Sequence, residues 1–341
     1  MRFQHITSLL AAAAFSFSAP AQSADSVLAV SSDNDLFAPT QTDRDYTAGL
    51  AVTYSSNSRD FLNNPAARVS QSLDKLVLPH SDAQVEKPES QALEFGAYGF
   101  TPEEIKASAV DRNDRPYSSL VYLSSSQSYR AAAGNAGWTT SLTVGMLGLD
   151  VFKSAQNAVH KVVGSDRANG WEHQISNGGE PTFRYSAAYH QYLDASVPDR
   201  QLKVTYFGSV GYLTEFGAAL VFRSGLISSP DNRFNPELMA YGERAPGVAA
   251  HGGRENYFWG GLSVKARAYN AFLQGQFRDS EHELSASDLN VLLAEVWAGY
   301  THSFVAGIEL SYVLRVQSSE IKQGTGDRTL AWGGLVFSKR L

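Results

Sequence analysis

From Val27 onward the chain alternates apolar and polar residues with a period of two, broken by clusters of Gly, Asn, Asp and Ser. Nowhere does it offer the run of about 18 apolar residues that a membrane-spanning helix needs. The clearest stretch lies between Phe304 and Gln317. Phe304, Ala306, Ile308, Leu310, Tyr312, Leu314 and Val316 share one face, and Gly307, Glu309, Ser311 and Arg315 share the other. The same pattern sets Ala48, Leu50, Val52 and Tyr54 against Thr47, Gly49, Thr53 and Ser55, and Trp138, Leu142, Val144 and Met146 against Thr139, Ser141 and Thr143. It also sets Val204, Tyr206, Val210 and Tyr212 against Lys203, Thr205 and Ser209. Further strands are expected at 26–32, 91–100, 117–130, 183–193, 214–223, 256–268, 289–302 and 328–338, about a dozen in all. Residues 268–282 read equally as one long strand or as a hairpin.

The first two dozen residues have the order of an export signal: Arg2, an apolar stretch from Ile6 to Phe17, then small residues. Ala19-Pro20-Ala21 fits the cleavage rule best, with Ala24 the second choice, which leaves residues 25–341 as one exported domain. Strands with one apolar face, in an exported chain without spanning helices, fit a closed transmembrane antiparallel β-barrel of about 12 strands in the bacterial outer membrane. Closure gives every backbone N–H and C=O in lipid a partner. A soluble sandwich would alternate too, but would rarely place aromatics at the ends of its apolar faces, as Tyr46, Tyr54, Trp138, Tyr212, Tyr300 and Tyr312 are placed.

Composition removes other classes. A net charge of −6 supplies no basic face for nucleic acid. The absence of cysteine excludes disulfides, thiolate catalysis and Cys-ligated zinc.

One stretch departs from period two. Between Asp150 and Gly164 the apolar residues Val151, Phe152, Ala155, Val159, Val162 and Val163 follow helical spacing, so a short helix is expected in a connection. If the first strand runs outward from the periplasm, the connections after the first, third and fifth strands all lie on the outer side. They carry Asn34-Asp35 with Asp43-Arg44-Asp45, then Glu103 to Arg115, then the helix with Gln156 and His160. Gln156 and His160 are four residues apart and project from one helix face. The alternation puts Thr47 at the start of the second strand on its lumen-facing side. Asn34, Asp35, Thr47, Gln156 and His160 can therefore converge on one rim.

An imidazole beside an amide or carboxylate can act as general base on water. A hard-oxygen cluster around Asp35 suits calcium more than a transition metal, and calcium near an ester carbonyl would stabilise a developing oxyanion. Taken singly, these residues mean less: a loop histidine is usually just solvated, and Asn-Asp is ordinary turn chemistry. No G-x-S-x-G elbow is present for a serine nucleophile.

At these residues the sequence resembles the lipid A 3′-O-deacylase family of outer-membrane barrels. The matching pieces are Asn34-Asp35-Leu36-Phe37, Thr42-Asp43-Arg44-Asp45-Tyr46-Thr47-Ala48-Gly49, Phe100-Thr101-Pro102, Asp114-Arg115-Pro116-Tyr117, and Gln156-Asn157-Ala158-Val159-His160 followed by Gly164 and Gly170-Trp171. They occur in the family's order over residues 27 to 175. The resemblance implies a twelve-stranded barrel and a calcium-dependent esterase that removes acyl chains from the 3′ position of lipid A. It implies His160 as general base, Gln156 orienting it or the substrate, Asp35 holding calcium, and Asn34 and Thr47 completing the catalytic site. Lipopolysaccharide and outer-membrane lipid are then the partners, and a monomer is expected.

Four features depart from the pattern. Asp166 stands where the family can have Glu, and Lys106 only approximates a basic residue expected after the Thr-Pro turn; both are read as substrate-binding. The chain ends in Leu341 instead of an aromatic, and the polar stretch 57–90 is long for a periplasmic connection. Two alternatives share the fold: a passive porin, and a barrel phospholipase. Sparse charge on the lumen face, and a helix expected to cap one mouth, speak against a wide pore.

Overall fold

The computed structural model describes residues 26–39, 44–78, 88–131, 134–154, 156, 168–193, 199–239, 241, 243 and 254–341. The expected export signal, with Ala21 and Ala24, lies outside them, as do His160 and Asp166. Among the described residues twelve strands form one closed barrel. They are β1 (Ser26–Asn34), β2 (Asp45–Ser56), β3 (Ser90–Thr101), β4 (Ser118–Arg130), β5 (Ala136–Leu147), β6 (Glu180–Tyr192), β7 (Arg200–Gly211), β8 (Leu213–Leu226), β9 (Asn256–Asn270), β10 (Leu292–Ser303), β11 (Ile308–Gln317) and β12 (Leu330–Arg340). Each pairs antiparallel with its neighbours in sequence, and β1 pairs with β12, Val27 opposite Arg340 and Asn34 opposite Gly333. Leu341 N donates to Ser26 O, so the non-aromatic end is held in the seam.

Leu50, Val52, Phe95, Leu123, Val144, Phe216 and Phe222 face outward and are exposed, as lipid-facing residues must be. Thr53, Glu94, Tyr122, Ser124 and Thr143 alternate with them and are buried inside. Several expectations need correction. Phe304 and Ala306 do not extend β11: Ala306 (φ 61°) and Gly307 (φ 70°) turn the chain, and the strand begins at Ile308. Residues 268–282 are neither a long strand nor a hairpin. Asn270 ends β9 and caps a helical turn, Ala271–Gln274, by accepting from Phe272 N. Tyr46 and Tyr212 sit inside the barrel, fully buried, not in a lipid-facing girdle.

The lumen face is also not sparse in charge. Arg184, Lys203, Glu215, Arg223, Lys265, Arg267, Glu295 and Arg315 all line it, buried. They are tolerable because Glu215 pairs with Arg267, and Glu295 with Lys265 and Arg315, across the strands, while the connection between β8 and β9 folds into the barrel and meets Arg184, Lys203 and Arg223. Its Phe234 ring packs on Tyr257 and Trp259 at 5.6 and 5.3 Å. Glu237 meets Lys203 Nζ at 2.9 Å and accepts from Thr205 Oγ1 at 2.6 Å. Further along, Tyr241 joins Tyr46, Tyr98, Phe100 and Trp332, and Glu243 reaches Arg184 at 3.2 Å. The barrel is thus filled by its own periplasmic connection.

The long connection 57–90 does have structure. Ser58 caps α1 (Arg59–Leu62) and Asn64 caps α2 (Pro65–Val77), each side chain accepting from a backbone N–H three residues on. Both helices pack on the outside of the wall.

Glu237→Ala would leave Lys203 buried without its carboxylate, a cost of roughly 3–5 kcal/mol. We expect the segment to leave the lumen and the single-channel conductance of the reconstituted barrel to rise, with heat-modifiable gel migration still reporting an intact wall. A conductance equal to wild type would count against this account of the plug.

Candidate active site

The site begins where β1 stops. Asn34 has extended backbone and caps the 3-10 turn Asp35–Phe37, its Oδ1 accepting from Leu36 N at 2.7 Å. Its Nδ2 donates to Thr47 O at 2.6 Å, tying the end of β1 to the start of β2. Asp35 is 1% exposed, and one of its carboxylate oxygens accepts from Arg44 N. The Arg44 guanidinium pairs with Glu103, which joins the first outer connection to the second.

Thr47 does not keep the lumen-facing position that alternation assigns it. Tyr46 pairs with Phe100 and Ala48 with Gly99, so Thr47 is the extra residue of a β-bulge. The bulge frees Tyr46 to point inward and sets the Thr47 hydroxyl 3.0 Å from that of Thr101. Thr101 follows the inward-facing Phe100 and so lies on the outer face.

The connection between β5 and β6 lies against that same outer face. Residues 150–154 and 156 are helical. Phe152, Ala168 and Trp171 pack with Ile105 and Tyr117 against Ala48 and Ala97, two outward-facing alanines. Gly99 makes the approach possible: a Cβ there would stand 2.5 Å from the Phe152 ring. The Trp171 indole N–H donates to Gln156 Oε1 at 2.7 Å. With its oxygen so fixed, the Gln156 amide nitrogen is buried and has no hydrogen-bond partner among the described residues.

Asn34, Thr47 and Gln156 are therefore brought together on the outer wall, Asn34 and Thr47 by a direct hydrogen bond, Gln156 through Trp171 and Ala48. Asp35 adjoins them in the first connection. Lys106 is exposed beside the insert, its carbonyl accepting from Asn169 Nδ2 at 3.0 Å. Among the described residues no group of three His, Cys, Asp or Glu is placed to hold a metal. Asp35 offers a buried carboxylate, a hard oxygen donor that fits calcium better than a softer ion.

Sequence reasoning missed the supports. Trp171 was legible only as part of the resemblance, with no role. Beneath the rim, Arg328 binds Asp45 at 2.8 Å and Asp114 at 2.9 Å, while Arg115 binds Glu320 at 2.8 Å. Asp45 holds a left-handed backbone (φ 66°) within this lattice. The motifs containing Asp45, Asp114 and Arg115 were visible in the sequence; their partners more than two hundred residues away were not. Burial opposes ionisation of Glu320, but Arg267 and Arg115 outweigh it and hold the carboxyl below its ordinary value of 4.5. A depressed carboxyl stabilises the fold above that value and loses the contribution as pH falls through the folded-state value. Amides of residues 318–329 should therefore exchange faster only in acid below the ordinary carboxylate range; equal loss of protection at neutral pH would contradict it.

Gly99→Val would overpack the insert against Phe152, costing roughly 1–3 kcal/mol. Limited proteolysis should then cleave the β5–β6 connection sooner while the barrel keeps its heat-modifiable migration; unchanged cleavage would show that the insert does not rest on this wall.

The family model described as "Outer membrane protein LpxR" matches residues 7–341. No curated protein sequence matches the chain. Among solved structures, LpxR from Salmonella typhimurium superposes with a TM-score of 0.66 at 17% identity, covering 92% of this chain and 100% of that one. The translocator domain of the autotransporter NalP from Neisseria meningitidis gives 0.41 at 10% identity, covering 93% and 88%. An outer membrane channel from Pseudomonas putida F1 gives 0.42 at 9% identity, covering 95% and 97%.

Proposed function

Because the chain belongs to the LpxR family and is a bacterial outer-membrane barrel of the kind that acts on lipid A, we propose that it is a calcium-dependent hydrolase that removes the 3′-linked acyl chains of lipid A. The observation that supports this reading best is the placement of Asn34, Thr47 and Gln156 on the outer wall at the environmental end. A lipid in the outer leaflet reaches such a site sideways, without entering a barrel whose lumen is filled.

In this reading His160 takes a proton from water, and the resulting hydroxide adds to the ester carbonyl. The tetrahedral adduct collapses with the sugar oxygen as leaving group, His160 returns the proton to that oxygen, and the chain departs as a carboxylic acid. Gln156, with its oxygen held by Trp171 and its amide nitrogen without a partner among the described residues, orients the base, the water or the carbonyl. Asn34 and Thr47 fix the wall against which the ester lies. Asp35, with backbone oxygens, would hold calcium, which supplies charge to oppose the oxyanion. Lys106, exposed at the rim, and Asp166 would contact the polar head of the substrate.

Expression in a host with ordinary lipid A, followed by mass analysis of that lipid, tests the reading. Wild type should remove 3′-linked chains; His160→Ala should lower the rate roughly 100-fold or more, and Asp35→Ala or a calcium chelator should abolish it. Unchanged lipid A with released phospholipid fatty acids would instead mark a phospholipase, and no change in either lipid would favour a passive barrel.

A further inference from the structure

The connection between β2 and β3 puts a helix where an outer-membrane barrel ordinarily meets lipid. α2 runs across the strands, not along them. Asn64 Nδ2 donates to Gln91 Oε1 on β3 at 2.9 Å, the Ala67 carbonyl accepts from Gln127 Nε2 on β4 at 3.0 Å, and Asp74 accepts from Tyr129 on β4 and Tyr185 on β6 at 2.5 and 2.8 Å. These partners alternate with the lumen-facing residues of their strands and so point outward. Gln91, Ser125, Gln127 and Thr140 are polar yet at most 5% exposed, because the helix covers them. Left bare in hydrocarbon they would each carry a desolvation cost.

The depth follows from register. Tyr129 is opposite Trp138, Trp138 opposite Tyr189, and Tyr189 opposite Tyr206. Trp138 and Tyr189 face outward with rings 5.0 Å apart. Aromatics of this kind mark the membrane–water boundary, here on the periplasmic side, and α2 is anchored on that rung.

The rest of the helix surface divides in two. Ala67, Ser70 and Asp74 are buried against the wall. On one flank stand Val69, Leu73 and Leu76, with Val69 56% and Leu76 82% exposed. On the other stand Arg68, Ser72 and Lys75, all exposed. The only acidic residue of the helix, Asp74, is turned inward, so every charge it shows to its surroundings is positive. A helix lying in an interface needs one flank for acyl chains and one for phosphates.

We propose that α2 is an interfacial helix seated in the periplasmic leaflet of the outer membrane, with Val69, Leu73 and Leu76 among acyl chains and Arg68 and Lys75 on anionic phospholipid headgroups. It fixes the depth of the barrel on the side that carries the candidate active site, and it does so independently of any reaction there.

The chain contains no cysteine, so one label can be placed without background. Leu76→Cys and Lys75→Cys, each carrying an environment-sensitive fluorophore, are reconstituted into phosphatidylcholine vesicles with and without phosphatidylglycerol. Nitroxides on the acyl chain should quench the label at 76 several-fold more than the label at 75, and aqueous iodide should do the reverse. Phosphatidylglycerol should deepen the label at 76, and Arg68→Glu with Lys75→Glu in the same labelled chain should remove that response. Equal iodide access at both positions, with heat-modifiable migration showing folded barrel, would overturn the seating in lipid. A depth indifferent to phosphatidylglycerol would overturn the headgroup assignment.

Discussion

A chain that crosses a bilayer as strands must leave no backbone N–H or C=O unpaired in hydrocarbon, and here that requirement is met at the seam between β1 and β12. Every other feature presupposes it. Closure separates an inner surface from an outer one, and the alternation of side chains gives the two surfaces different chemistry. Because the pairing runs without interruption from Val27–Arg340 to Asn34–Gly333, the first outer connection leaves the wall at a fixed point, and Asn34 and Asp35 are fixed with it.

The two surfaces are then used differently along one sector of the wall. Inside, ionised side chains that hydrocarbon would reject are gathered around Glu237, Tyr241 and Glu243. Outside, the sector from β2 to β6 is dressed at both ends, by the β5–β6 insert over Ala48 and Ala97 and by α2 over Gln91 and Gln127. A lipid that meets the outer surface has no need to enter the interior, so a filled lumen and a lipid-facing candidate site are compatible.

The strands were legible because their cause is local. A buried-or-lipid alternation is written into every second residue, and the breaks fall at Gly, Asn, Asp and Ser, whose backbone preferences mark turns. The outer-side placement of the three polar connections followed from counting strands. What could not be read depends on single departures from that regularity. At Thr47 one extra residue reverses the face of Tyr46, and nothing in Asp45-Tyr46-Thr47-Ala48 distinguishes a bulge from continued strand. Tyr212 looked like the end of an apolar face because Gly211, at φ 134°, gives no sign in sequence that the chain reverses there. The plug was invisible for a different reason: residues 227–243 have neither period, and their partners lie on strands dispersed around the barrel. The Gln156 site was half visible. Its residues could be named from spacing and resemblance, whereas the Trp171 indole and the Gly99 gap that hold Gln156 come from segments that only folding brings together.

The plug enters from the periplasmic mouth and is joined at both ends to adjacent strands, β8 and β9, which pair with each other along their whole length. It can consequently withdraw without parting a single rung of the wall, and the wall can persist around an empty interior. Two layers of stability are nested in one chain: a cylinder secured by main-chain hydrogen bonds, and a filling secured by side chains. Damage to the second leaves the first standing, so a mutant of this protein can be fully inserted in its membrane and yet leak.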